Sequence, residues 1–88
     1  MFVLDSHCDT PTMMMRGRDI GIDNERGHVD LPKLKAGGVD ASFFALYTSA
    51  DMAPDASTRH ALEMIGRIYD QVGANQDLAA LAMSPEEA

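Results

Sequence analysis

The segment Asp5-Ser6-His7-Cys8-Asp9-Thr10-Pro11 gathers an imidazole, a thiol and two carboxylates within a few residues. In an extended strand residues i and i+2 point to the same face, so His7 and Asp9 would project together and Cys8 oppositely. Imidazole nitrogen and carboxylate oxygen both bind zinc at about 2.0 to 2.2 Å, so such a pair can supply two corners of a metal site but cannot complete one. The same spacing serves a plainer arrangement, with Asp9 capping the turn at Thr10-Pro11 and His7 a hydrogen-bonded histidine near the strand end. Local spacing leaves both open.

Cys8, pointing the other way, reads as a small buried hydrophobe. A thiolate nucleophile needs a base and an orienting group, and nothing nearby supplies them beyond its immediate neighbours. His28 falls in a loop and His60 on a helix, and each is expected at the surface. The run Met13-Met14-Met15 suits either the lining of a pocket above the strand or packing within a loop.

The elements that must position these groups follow from the apolar pattern. Phe2-Val3-Leu4 is wholly apolar, as in a strand covered on both faces, and Pro11 ends it. Met13 to Asp23, with Gly17 and Gly21, reads as a loop with one irregular turn. From Asp30 to Gly38 there are a capping Asp, an early Pro, Leu31 and Leu34 at i,i+3, and a glycine stop, which predict a short helix. Val39 to Tyr47 gives a second strand apolar on both faces, and two such strands flanking a helix predict a parallel pair at whose carboxyl edge His7 and Asp9 would lie. Ala61, Leu62, Ile65, Ile68, Tyr69 and Val72 fall at helical spacing. This predicts an amphipathic helix from Thr58 to about Val72, capped by Ser57 or Asp55 and stopped by Gly73. Leu78 to Ala82 is apolar but too short to assign, and no internal repeat is present.

The chain has 88 residues, 45% of them hydrophobic and 24% charged, which suits one small globular domain. Its net charge of −7, with seven basic residues mostly scattered, disfavours nucleic acid as a partner. No apolar run is long enough to span a bilayer, so no membrane partner is expected. A single cysteine permits no internal disulfide, and no basic leader precedes the first strand; a cytoplasmic location is expected. At the other end, Ser84-Pro85-Glu86-Glu87 carries the marks of a capping box with Pro at the first helical position. A helix is expected to begin there, with its body and further strands beyond Ala88.

Taken together, Leu4-Asp5-Ser6-His7-Cys8-Asp9-Thr10-Pro11, His28-Val29-Asp30-Leu31-Pro32-Lys33-Leu34-Lys35-Ala36-Gly37-Gly38-Val39 and Ser42-Phe43-Phe44-Ala45 resemble, in order and spacing, the start of the membrane dipeptidase (renal dipeptidase) family of metallopeptidases. The resemblance runs through Met83-Ser84-Pro85-Glu86. It implies an α/β fold in which residues 1 to 88 form the first two β/α units of a truncated (β/α)8 TIM-type barrel, the amino-terminal portion of a single metallopeptidase domain. It implies two zinc ions in the intact enzyme and hydrolysis of dipeptides by metal-activated water, with His7 and Asp9 as metal ligands and the other ligands, a bridging Glu and later histidines, on strands beyond Ala88. No catalytic residue is then expected within this chain, which alone would be inactive. Asp5 or a later residue is expected to hold the second ring nitrogen of His7. The implied partner is a dipeptide substrate, and assembly into a homo-oligomer is compatible with it. The alternative is a small non-catalytic α/β module for binding or oligomerisation.

Overall fold

A computed structural model describes residues 1 to 88. Its elements run β1 (Leu4–Cys8), α1 (Thr10–Met14), α2 (Leu31–Ala36), β2 (Ala41–Phe44) and α3 (Pro54–Ala74). The strands pair in parallel, as the pattern predicts, with Leu4 opposite Ala41, Asp5 opposite Ser42 and Cys8 opposite Phe44. Three residues of β1 after Asp5 therefore face two of β2 after Ser42, and this irregularity falls at Ser6 and His7.

The ladder is shorter than the apolar runs on either side of it. With only two strands present, backbone pairing lasts no longer than their shared register. The carbonyl of Val3 accepts from the amides of Asp40 and Ala41, the Asp40 carboxylate accepts from the Val3 amide at 2.7 Å, and Ala45 donates to the Cys8 carbonyl at 2.7 Å. Neither strand is covered on both faces within this chain. Phe2, Val3, Leu4, Phe43, Leu46 and Tyr47 are all exposed, and just 8 of the 88 residues are buried.

Where a loop is expected after Pro11, the chain makes the short helix α1. Pro11 sits in its first turn, where the missing amide costs nothing and the fixed φ is already helical. Thr10, Pro11 and Met14 are buried there. Helix α2 follows its predicted outline. Asp30 has the extended backbone of a cap, its Oδ1 accepts from the Lys33 amide at 2.8 Å, and the chain turns away at Gly38 with φ +75°.

Helix α3 is longer at both ends than the spacing suggests. It starts at Pro54, preceded by Ala53 with no side-chain cap, and runs through Gly73 to Ala74; the amide of Asn75 closes it on the Val72 carbonyl. An interior glycine costs a helix about 1 kcal/mol, which neighbouring turns absorb, so Gly73 does not stop this one. Met64 on α3 is fully buried, and Arg67 donates to the Met14 carbonyl at 3.5 Å, tying α3 to α1. Met14, Ile20 and Leu31 form the core, joined by Leu34, Phe44, Ile68, Leu78 and Ala79. The unassigned stretch at Leu78 is thus a contributor to that core.

The capping signature at Ser84 yields a turn within residues 1 to 88. Glu87 and Ala88 donate back to Ser84 and Pro85, and the Glu87 carboxylate accepts from the Met83 amide at 2.6 Å, one residue short of the capping-box partner.

Candidate metal centre

Strand β1 ends at Cys8, and Asp9 stands at the N-cap position of α1. The alternation of a regular strand is therefore not what brings His7 and Asp9 together. The irregular register at His7 and the turn into α1 do so: His7 Nε2 lies 3.1 Å from Asp9 Oδ1, with both side chains about two-thirds exposed. A carboxylate only accepts, so this contact places the proton on Nε2. Asp9 makes no side-chain cap bond, and only its carbonyl engages the helix, accepting from the Thr12 amide at 3.1 Å. The capping reading of Asp9 thus fails, while the two side chains do meet. Cys8 points inward as expected; it is buried, with Sγ 3.1 Å from Thr10 Oγ1.

Asp5 was expected at the His7 ring and acts elsewhere. Its Oδ1 accepts from the backbone amide of His7 at 3.3 Å and its Oδ2 from the Ser42 hydroxyl at 2.9 Å. The carboxylate thereby bridges the irregular turn of β1 to β2 and fixes the backbone that carries the imidazole. Ser42 is the residue that sequence reasoning missed here. Its signal was the parallel register, which sets Ser42 directly opposite Asp5.

His7 and Asp9 open onto a concavity of about 450 Å³ whose walls also include Asp5, Arg18, Gly27 and His28. Met13 lines it, whereas Met14 is core, so the methionine run serves both of its expected uses. His28 is exposed on that wall. His60 is half-buried on α3 and takes no part in the concavity.

Behind this wall the loop from Asp23 to Asp30 is anchored by one buried carboxylate. Asp30 Oδ2 accepts from the Asn24 amide at 2.9 Å and from Lys33 Nζ at 2.7 Å. Lys33 also reaches Asp23 and the Asn24 carbonyl. Burial pushes the Asp30 carboxyl up, but the hydrogen bonds from Lys33 and Asn24 and the lysine charge outweigh it and hold the group down at about 2. The bonds to Asp23 and Asp30 in turn raise Lys33.

Two ligand atoms at about 2.0 to 2.2 Å from a tetrahedral ion are separated by about 3.4 Å, so the 3.1 Å between Nε2 and Oδ1 fits two corners of one site. A metal there would take the place of the proton the two atoms now share. No third His, Cys, Asp or Glu joins the pair. The residues of this chain therefore suit a metal as a pair of donors, not as a closed cage.

Comparison with known proteins adds one match. The model of a family described as membrane dipeptidase (peptidase family M19) matches residues 1–88. No solved structure matches the chain.

Proposed function

This chain belongs to the membrane dipeptidase family, and from that premise we propose that it supplies part of the zinc site of a dipeptide hydrolase, with His7 and Asp9 as two of the ligands. The observation that supports this reading is the 3.1 Å approach of His7 Nε2 to Asp9 Oδ1 at the mouth of the concavity, made by an Asp that declines the helix-capping role open to it. In the intact enzyme two zinc ions are held, the remaining ligands coming from strands of a barrel whose first two β/α units this chain provides. The 88 residues alone do not catalyse.

Zinc, when bound, supplies Lewis acidity toward a peptide carbonyl and toward water. The chain's own residues do the rest of what happens at this edge. His7 and Asp9 hold the ion. Asp5, braced by Ser42, fixes the backbone of His7 so that the ring does not swing away. The concavity leaves room above the pair for a dipeptide.

The test is zinc content and dipeptide hydrolysis of the intact protein with His7→Ala and Asp9→Ala. Each variant loses metal and activity; full retention of both in the two variants removes the assignment.

The exposed apolar residues of the sheet favour a second reading, a non-catalytic module that assembles through them. Size-exclusion chromatography with light scattering separates the two. A discrete, folded oligomer that takes up no zinc supports the module.

A further inference from the structure

Arg18 stands on the wall of the concavity that His7 and Asp9 also line, and it is the one permanently cationic side chain there. It is half-buried. Its guanidinium makes no ion pair and no side-chain hydrogen bond, although Asp5 and Asp9 share the same hollow. What holds it is Gly27. That residue adopts φ +87°, and a Cβ there would lie 2.0 Å from Arg18 Nη1 and within 3 Å of Cζ and Nη2. The planar head therefore rests against a glycine that only glycine's missing side chain leaves open, and its donors stay unspent. The backbone amide of Arg18, which donates to the Met13 carbonyl at 3.2 Å, ties the residue into the fold independently of the side chain.

A guanidinium fork matches a carboxylate with two parallel hydrogen bonds, and a head already held in place gives up little freedom on binding. A dipeptide carries one free carboxylate, at the end remote from its amine. We propose that Arg18 binds the terminal carboxylate of the dipeptide and so sets which way the substrate lies across the His7–Asp9 pair; this rests on the dipeptidase reading above. His28, exposed on the same wall, adds a second donor at that end.

The experiment titrates the full chain with glycylglycine and, separately, with glycylglycinamide, following the Arg18 Nε–H resonance and the His7 ring by NMR; the same pair is run on R18Q and R18K. The free dipeptide shifts Arg18 and binds at least about tenfold more tightly than the amide, the advantage of a charge-assisted pair. R18Q abolishes that preference and R18K, a point charge without the fork, keeps only part of it. Equal binding of acid and amide by the wild-type chain overturns the proposal, as does a preference that survives in R18Q. Zinc titration of the same samples reads the metal assignment separately: R18Q leaves the His7 response to zinc unchanged, so a failed zinc response with an intact acid preference indicts the dipeptidase reading and not Arg18.

Discussion

The carboxylate of Asp9 sits where a helix cap belongs and turns instead to His7, its Oδ1 3.1 Å from Nε2. A capping bond is worth about 1 kcal/mol, and forgoing it in favour of an exposed contact is a local cost with no return in stability. That trade is characteristic of positions where structure yields to chemistry.

Ser42→Ala tests the brace beneath the site. Losing a hydrogen bond to a half-buried carboxylate costs about 1.5 kcal/mol, and it frees the turn that carries His7. Zinc affinity of the intact protein should fall about tenfold, as is usual when a residue that orients a ligand is removed. Thermal denaturation and zinc titration of the same variant read the two effects.

Asp30→Ala should be the most damaging single change outside the core. It removes the α2 cap, leaves the Asn24 amide unpartnered and strands Lys33, for about 2 to 3 kcal/mol in all. Urea denaturation followed by circular dichroism measures it.

The same carboxylate sets a pH window. Its folded value of about 2 lies below the ordinary 3.8, so its contribution is complete above pH 3.8 and is lost as pH falls toward 2. Lys33 is raised above 10.5, so its contribution is complete below that value and is lost as pH rises through the higher folded value. Lys33→Met should move the onset of acid unfolding upward, because burial then acts on Asp30 with less to oppose it. Acid titration of the circular dichroism signal decides this.

How much of this was legible in the sequence varies by element. Helix α2 was readable in full because its signals are local: a capping Asp, a first-turn Pro and a glycine exit. The parallel pairing was readable from two apolar runs flanking a helix, but the length of the ladder was not, since it depends on register between distant residues. Helix α3 outran its apolar stripe because helical pairing continues past the last buried residue, and Gly73 is only mildly unfavourable inside it. His7 and Asp9 were identified together, although by the alternation of a strand that in fact ends between them. The partnership of Asp5 with Ser42 required the register, and Arg18 against Gly27 required the loop's path, neither of which spacing encodes.

Gly27→Ala follows from that last contact. A side chain at φ +87° is strained by about 1 to 2 kcal/mol and would displace the Arg18 guanidinium. The expected result is modest destabilisation in urea together with a changed Arg18 Nε–H resonance, while the His7 ring signals stay in place.

The assignment of His7 and Asp9 as metal ligands is tested most directly by titrating the chain with zinc while recording the ring nitrogens of its three histidines. His7 Nε2 should shift in a saturable way that Asp9→Ala weakens, with His28 and His60 unmoved. A His7 ring indifferent to zinc, or three histidines responding alike, would contradict it.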